Sequence, residues 1–227
     1  MIEIQNVRKS FTLHNQGVQD IAVMEGAALN VVAGECVALT GASGSGKSTL
    51  MRMIYGNYLV QGGSLRVGDL DVATAEPRQI IEMRKRTLGY VSQFLRVVPR
   101  VPAVDVVAEP LLQVGETHEV AAARARDLLS LLRIPEQLWS LSPLTFSGGE
   151  QQRVNIARGF AYAYPALLLD EPTASLDGAN RETVLNLIGE AKSRGAAIIG
   201  IFHDEAARAA VCDREVDVSA FTPKSDG

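Results

Sequence analysis

GASGSGKST, from Gly41 to Thr49, is the stretch of sequence that decides the fold. It matches the pattern GxxxxGK[ST] and lies between the strand-like residues ECVALT and the helix-forming residues LMRMIYG. Glycines let backbone N–H groups approach phosphate oxygens closely, and the helix that follows contributes its positive end. We therefore predict a nucleotide-phosphate site at Gly41, Ser43, Gly44, Ser45, Gly46, Lys47, Ser48 and Thr49.

Two side chains of this loop and two later carboxylates carry specific chemistry. Lys47 is a mobile cation for the β- and γ-phosphates, and the Ser48 hydroxyl is a ligand for Mg²⁺. The apolar stretch LLLDE, residues 167–171, is typical of a buried strand that ends in two carboxylates. Asp170 is predicted to hold Mg²⁺, directly or through water, and Glu171 to orient or deprotonate the attacking water. Together these motifs predict a nucleoside triphosphatase that uses Mg²⁺.

The composition excludes several other classes of protein. The chain has 227 residues and a net charge of -4, which gives no overall attraction to nucleic acid or to anionic lipid. Its apolar runs, such as residues 196–202, are shorter than the ~20 residues of a membrane-spanning helix, and nothing resembles a signal peptide. Cys36 and Cys212 are far apart in sequence and lack metal-ligand spacing, so we expect buried, reduced thiols. These features predict a cytoplasmic protein.

A second glycine motif, FSGGEQQR at residues 146–153, lies far along the chain from the first. Ser147, Gly148 and Gly149 open a predicted helix and form an anion site without a lysine. Two phosphate-binding helix ends in one small protein suggest that one of them serves the nucleotide of another copy. The motif resembles the signature sequence of the ATP-binding-cassette family, although the commonest signature has glutamine where this chain has Glu150.

The resemblance to this family implies roles for further residues. Phe11 would place its ring against adenine, and Gln93 would touch Mg²⁺ and couple the site to a partner. Asp177, in a Ser-Leu-Asp loop, would cross the interface between two cassettes, and His203, after AAIIGIF, would contact the γ-phosphate. The resemblance therefore implies an ATPase with ATP and Mg²⁺ as cofactors and Glu171 and His203 as catalytic residues. The implied metal ligands are Ser48, Gln93 and Asp170, and the residues that act on the other cassette's nucleotide are Ser147, Gly148, Gly149, Glu150 and Asp177.

The alternation of apolar strands and helices along the chain predicts an α/β fold. ALLLD, a helix over residues 180–192 and AAIIGIF give the strand–helix–strand order of a parallel sheet. The resemblance implies a P-loop NTPase cassette with a mostly parallel sheet core, an N-terminal antiparallel β subdomain and an inserted helical lobe. We predict one domain over residues 1–227, with the core at about 1–93 and 161–220 and the helical lobe at about 94–160.

The predicted lobe contains a helical pattern and a candidate partner surface. The pattern is helical over residues 102–132, where Pro110 is expected to interrupt it. By the resemblance, residues 94–100, just after Gln93, are where cassettes of this family meet their partners. Two valines between Arg96 and Arg100 suit an interface with apolar contact and charge pairing at its edge, and two solvated arginines are the simpler alternative.

Three stretches are similar to the cassettes of the bacterial phosphonate carbon–phosphorus lyase system: VAGECVALTGASGSGKSTLMR, VSQFLRVVPR and the run from FSGGEQQR to LLLDEPTASLD. This resemblance implies a dimer with itself or with a sister cassette, and contact with soluble carbon–phosphorus lyase subunits. Transporters for lipoprotein release or macrolide export also carry SGGEQQR, so a membrane permease stays open as the partner. A role on nucleic acid is disfavoured, because the sequence has one cassette, no coiled-coil heptads and no basic patch.

Overall fold

The computed structural model describes residues 1–13 and 19–223, which form two β-sheets and the helices that cover them. In chain order, the strands are β1 (Ile2–Leu13), β2 (Gln19–Val31), β3 (Cys36–Thr40), β4 (Gly62–Val67), β5 (Leu70–Asp71), β6 (Leu88–Val91), β7 (Ala166–Asp170), β8 (Ala197–Ile201) and β9 (Arg214–Asp217). The helices are α1 (Lys47–Ile54), α2 (Pro77–Arg86), α3 (Ala103–Gln113), α4 (His118–Leu131), α5 (Gly148–Gly159), α6 (Gly178–Ser193) and α7 (Glu205–Val211). One sheet is antiparallel, in the order β2-β1-β4-β5, and the other is parallel, in the order β6-β7-β8-β3-β9.

The central strands of the parallel sheet are short and apolar because both of their faces are covered. Every residue of β7 and β8 is buried. Along β3, Cys36 and Ala38 pack with the helices of one face, whereas Val37 and Leu39 pack with α1 and the antiparallel sheet. Because β3, β7 and β8 are parallel, their carboxyl ends meet at one edge of the sheet, where α/β proteins bind ligands.

The N-terminal strand β1 is amphipathic and contains an irregularity. Ile2, Ile4 and Val7 are buried, and the register with β2 shifts between Ile4 and Val7, where Asn6 has a φ of 51°. A Cβ on Gly63 of β4 would lie 2.3 Å from the Asn6 carbonyl oxygen, so this close approach requires glycine. The N-terminal antiparallel β subdomain that the resemblance implied is confirmed, and β1 continues as far as Leu13.

Helices α3, α4 and α5 lie between β6 and β7 in sequence and pack against one another. The predicted interruption at Pro110 is wrong, because α3 runs through this residue to Gln113. Pro110 lacks the N–H that would bond to the carbonyl of Val106, but its ring is buried, and this packing offsets the lost hydrogen bond. The chain leaves the helix near Gly115, whose φ of 99° suits glycine.

The predicted fold class is confirmed: a five-stranded parallel sheet, a four-stranded antiparallel sheet and helices inserted between β6 and β7. The boundaries of the domain and of its lobe remain predictions. No helix within residues 1–13 and 19–223 is long and apolar enough to cross a membrane. The two cysteines are free thiols, and folding brings the sulfur atoms of Cys36 and Cys212 to 3.6 Å from each other.

Candidate active site

The phosphate loop connects β3 with α1 and adopts a backbone that its glycines allow. Gly41, Gly44 and Gly46 have φ values of 122°, 81° and 97°, which L side chains rarely adopt. Gly46 is the N-cap of α1, and no side chain of the described residues caps the helix there. The first N–H groups of α1 are therefore available to an anion, which the helix dipole also favours. Of the other predicted members of the loop, Ser43 is exposed and Thr49 is half-buried.

Close packing explains why the loop begins with glycine. A Cβ on Gly41 would lie 2.7 Å from Ser219 Oγ, 2.8 Å from Asp217 Oδ1 and 2.9 Å from Ser45 Oγ. Asp217 also accepts a hydrogen bond from the Ser219 N–H at 2.9 Å, which fixes the segment after β9 in this position. The end of β9 thus supports the phosphate loop.

Polar groups of the loop fit the triphosphate of a nucleotide. Lys47 Nζ donates hydrogen bonds to the carbonyls of Gly41 at 2.7 Å and Ala42 at 2.9 Å, so the cation lies over the loop. The Ser45 hydroxyl is buried and has no hydrogen-bond partner among the described residues. Ser48 is exposed at the start of α1. Backbone N–H groups and the Lys47 cation can bind phosphate oxygens, and the exposed Ser48 hydroxyl can be an oxygen ligand for Mg²⁺.

Asp170 is the last residue of β7 and is buried, with 8% of its surface exposed. The Tyr90 hydroxyl, on the neighbouring strand β6, donates a hydrogen bond to Asp170 Oδ2 at 3.2 Å. Burial raises the pKa of Asp170 above its ordinary value, and the hydrogen bond from Tyr90 opposes this change. No group of three or more His, Cys, Asp and Glu side chains could hold a metal within the described part of the chain. A Mg²⁺ ion here would need further oxygen ligands from Ser48, water and phosphate, which is usual for this metal.

Glu171 and His203 are brought together, as a catalytic pair would require. His203 Nε2 lies 2.7 Å from Glu171 Oε1. Glu171 has a φ of 55°, a conformation that costs a non-glycine residue about 1–2 kcal/mol, and its N–H donates to the Ile201 carbonyl at 3.0 Å. The turn after β7 is therefore anchored to the end of β8, and it directs the Glu171 side chain towards His203.

Gln93 and the signature glycines line one cleft with Glu171. The cleft has a volume of about 290 Å³, and its walls include Gln93, Gly148, Gly149 and Glu171. None of the described residues of the phosphate loop lines this cleft. The structure thus brings the signature of the chain near its own Gln93 and Glu171, but in a cleft separate from the phosphate loop.

Two polar residues of α5, which the sequence analysis did not identify, hold these segments in place. Gln152 and Asn155 are buried, with 7% and 4% of their surfaces exposed. Gln152 Nε2 donates to the Glu171 carbonyl at 3.4 Å, and Asn155 Nδ2 donates to the Ser92 carbonyl at 2.5 Å. The sequence signal that could have identified them is a pair of amide side chains three residues apart on an otherwise apolar helix face.

The signature motif forms the N-terminus of α5. Ser147 is the N-cap, and its hydroxyl accepts a hydrogen bond from the Glu150 N–H at 3.4 Å. Glu150 Oε2 in turn accepts from the Ser147 N–H at 2.9 Å and lies 2.6 Å from Ser147 Oγ. These hydrogen bonds from Ser147 lower the pKa of Glu150. The Glu150 carboxylate, at the position where this chain departs from the commonest family signature, is therefore half of a capping box.

Asp177 also caps a helix. It is the N-cap of α6, and its carboxylate accepts from the Asn180 N–H at 2.8 Å and from Asn180 Nδ2 at 2.9 Å. These hydrogen bonds, led by that of the backbone, lower the pKa of Asp177. The loop before it packs on the signature, since the Ser175 carbonyl oxygen would lie 3.6 Å from a Cβ on Gly149.

Phe11 lies on β1 and is half-buried. Its ring meets the edge of Tyr58, with 5.3 Å between ring centroids and 78° between planes. Lys9 Nζ lies 5.0 Å from the centroid of the Phe11 ring. The ring that was predicted to stack on adenine is thus held by two neighbours.

Comparison with known proteins gives the family. The sequence profile described as ABC transporter matches residues 24–174. The chain is 32% identical over 218 residues to the macrolide export ATP-binding/permease protein MacB of Shigella flexneri. This match covers 96% of the chain and 33% of that protein. The chain is 34% identical over 204 residues to MacB of Salmonella typhimurium, covering 90% of the chain and 31% of that protein. The chain therefore spans about a third of the length of these curated relatives.

Solved structures agree with this match. The dimeric post-hydrolysis state of the ATP-binding cassette MJ0796, bound to ADP and Pi, has a TM-score of 0.87 and 26% identity, and the match covers 96% of this chain and 95% of that one. The ATP-binding subunit of an ABC transporter shares the fold, with a TM-score of 0.81 at 24% identity over 96% of this chain and 87% of that one. The predicted ATPase class and its use of ATP and Mg²⁺ are confirmed by the family and by the cassette fold. The chain belongs to the ABC transporter family.

Proposed function

We propose that this ATPase drives a phosphonate carbon–phosphorus lyase system, whose ATP-binding component PhnL it resembles, and that two cassettes arranged head to tail form its active sites. The observation that carries the ATPase part is the 2.7 Å contact between Glu171 and His203 beside the buried Asp170. The lyase part rests on the three similar stretches of sequence, and above all on VSQFLRVVPR at residues 91–100.

In the proposed reaction, the chain's own residues position ATP and a water molecule. The phosphate loop and Lys47 bind the triphosphate, while Ser48, Gln93 and Asp170 would hold Mg²⁺. When bound, Mg²⁺ neutralises the negative charge of the phosphate oxygens. Glu171 accepts a proton from the water as its oxygen bonds to the γ-phosphorus, and the bond from that phosphorus to the bridging oxygen breaks, releasing ADP and phosphate.

The second cassette is proposed to complete this site. Ser147, Gly148 and Gly149 present a helix N-terminus, which favours an anion, yet the cleft that the glycines line contains no residue of the described phosphate loop. A γ-phosphate held by one chain and covered by the signature of another would bring the two anion sites together. The solved MJ0796 cassette is itself dimeric, which supports this arrangement.

The surface after Gln93 is the proposed contact with lyase subunits. Phe94 and Val98 are 70% and 69% exposed, a large apolar exposure for two neighbouring side chains. Val98 lines a groove of about 670 Å³ whose walls also include Arg96, Val97, Val101 and Leu112, whereas Phe94 lines the cleft of Gln93 and the signature glycines. Asp105 and Glu109 line the same groove as Val98, and apolar side chains with charged residues at the edge suit a protein partner. On this proposal the chain works in the cytoplasm and binds no nucleic acid.

A second candidate function is the ATPase subunit of a membrane transporter for macrolide export or lipoprotein release. The observation that favours it is the 32–34% identity to proteins named as macrolide export ATP-binding/permease proteins. The same groove would then accept a segment of a membrane permease, and the chain would act at the cytoplasmic face of the membrane. The ATPase chemistry would be unchanged.

Recovery of partners from cells distinguishes these two functions. Tagged Glu171→Gln protein would be purified from its own cells with Mg-ATP, and the proteins bound to it identified by mass spectrometry. Tagged Lys47→Ala protein is the matched control, because it should bind ATP poorly and so form no closed dimer. Soluble carbon–phosphorus lyase subunits in the first sample would support the lyase proposal. A polytopic membrane protein in their place would overturn it in favour of the transporter.

A further inference from the structure

We infer that Tyr90 is a positioning residue for the magnesium site, where its hydroxyl fixes one oxygen of Asp170 and leaves the other for the metal. The inference deepens the proposed function and rests on the proposed role of Asp170 in holding Mg²⁺. It assigns a task to a side chain that lies outside the phosphate loop, the signature and the catalytic pair.

The parallel sheet places Tyr90 and Asp170 on the same face. Strand β6 pairs with β7 in a register that sets Tyr90 beside Leu168. Asp170 is two residues beyond Leu168, and alternate residues of a strand point to the same face. The Tyr90 hydroxyl can therefore reach the carboxylate diagonally, and it donates to Oδ2 at 3.2 Å.

Asp170 depends strongly on this hydrogen bond. Among the described residues, Tyr90 is the single side chain or backbone group that donates a hydrogen bond to the Asp170 carboxylate. With 8% of its surface exposed, Asp170 receives little help from bulk water. A carboxylate with one fixed oxygen has a defined orientation. Asp170 Oδ1 would therefore bind a cation without the further loss of torsional freedom that accompanies binding by an unrestrained carboxylate.

The ring of Tyr90 is itself held in place. It packs against Tyr55, at the end of α1, with 5.0 Å between ring centroids and an interplanar angle of 55°. The guanidinium of Arg84 lies 4.4 Å from the centroid of the Tyr55 ring, and Arg84 Nε donates a hydrogen bond to the Tyr55 carbonyl at 2.9 Å. These contacts restrict the Tyr90 ring, so its hydroxyl stays at a fixed point relative to Asp170. Tyr55 has no such contact with Asp170, which makes it a matched tyrosine for comparison.

Tyr90→Phe removes the hydroxyl and keeps the ring. The test is the affinity for a fluorescent ATP analogue, measured with excess Mg²⁺ and with EDTA, so that the ratio of the two dissociation constants gives the contribution of the metal. In Tyr90→Phe protein we expect this ratio to fall by about threefold to tenfold, the net effect of losing one hydrogen bond, with the affinity in EDTA unchanged. Tyr55→Phe should leave both affinities unchanged, and circular dichroism would verify that each variant is folded.

Asp170→Asn separates failure of this inference from failure of the proposed metal role. If Asp170→Asn keeps the full effect of Mg²⁺, Asp170 does not hold the metal and the proposed function is wrong at that residue. If Asp170→Asn loses the effect while Tyr90→Phe keeps it, the metal role stands and the inference about Tyr90 is overturned. A Tyr90→Phe protein that binds the analogue more weakly in EDTA as well would also overturn it, because Tyr90 would then support the fold of the site in general.

Discussion

At the residue scale, the contact between Glu171 and His203 gives the first test of the chemistry. Glu171→Gln keeps the size of the side chain and a hydrogen bond to His203 Nε2, but an amide cannot accept the proton of the attacking water. We expect ATP hydrolysis to fall by roughly 10²- to 10⁴-fold, as for loss of a general base, while ATP binding is kept. Phosphate release measures the first effect, and light scattering with Mg-ATP should show the mass of a closed dimer. Turnover at the normal rate would remove Glu171 from the role of base.

Lys47 should affect a different step. Its ammonium lies over the loop on the carbonyls of Gly41 and Ala42, where it can move to meet phosphate oxygens. Lys47→Ala removes this charge, and we expect the affinity for an ATP analogue to fall by about tenfold or more, since charge-assisted hydrogen bonds are the stronger kind. Fluorescence titration measures it, with Lys85→Ala on α2 as a control lysine outside the loop. Equal affinity in the two variants would contradict the predicted role of Lys47.

At the scale of elements, the start of α5 explains how a glutamate serves in the signature. Glu150 closes a capping box with Ser147, and glutamine can make the same hydrogen bond to the N-cap N–H. Glu150→Ala should therefore lower the free energy of unfolding by about 0.5–1 kcal/mol, and Glu150→Gln should lower it less. Urea unfolding at neutral pH measures both variants against the unchanged chain. A larger loss in Glu150→Gln than in Glu150→Ala would contradict the capping role.

The pKa of Glu150 also predicts how this contribution depends on pH. The hydrogen bonds from Ser147 lower the pKa of Glu150 in the folded chain below its ordinary value of 4.5. Ionised Glu150 thus contributes stability above pH 4.5, and this contribution is lost as the pH falls through the lower, folded-state value. The difference in stability between the unchanged chain and Glu150→Ala should accordingly shrink in acid. A difference that grows as the pH falls would mean that the protonated carboxyl makes the cap.

The elements also show which features sequence patterns reveal and which they miss. Buried strands of five mainly apolar residues and a glycine-rich turn before a helix are local signals, so the parallel sheet and the phosphate loop were predictable. The course of α3 through Pro110 was not, because burial of the proline ring outweighs its local preference. The hydrogen bond from Tyr90 to Asp170 joins residues 80 apart in sequence, and it depends on which strands are neighbours. Only the order of strands in the sheet supplies that information.

At the scale of the whole molecule, the surface after Gln93 should bind the partner independently of the ATPase site. Arg96 and Arg100 are exposed, and Arg96 lines the groove together with Asp105 and Glu109, so changing both arginines to glutamate replaces the positive charges of this surface with negative ones. We expect the partner to be lost from purifications of Glu171→Gln protein while the affinity for ATP is kept. Arg126→Glu, an exposed arginine of α4, is the control. Loss of the partner in the control as well would indicate a general effect of charge.

The proposed head-to-tail dimer makes a quantitative prediction for mixtures of two inactive chains. Lys47→Ala damages the phosphate loop, and Ser147→Arg fills the signature with a bulky cation, so each protein alone should be inactive. In a mixed dimer, the intact loop of the Ser147→Arg chain faces the intact signature of the Lys47→Ala chain, which restores one of the two sites. If ATP is in excess and equal amounts of the two chains pair at random, mixed dimers make up half of the dimers, and activity should return to about a quarter of the normal rate when the sites act independently. Gly148 and Gly149 line a cleft with Glu171 of their own chain, so a site completed within one chain is the alternative arrangement. Mixtures that stay inactive, although light scattering shows that the chains pair, would mean that each signature serves the nucleotide of its own chain.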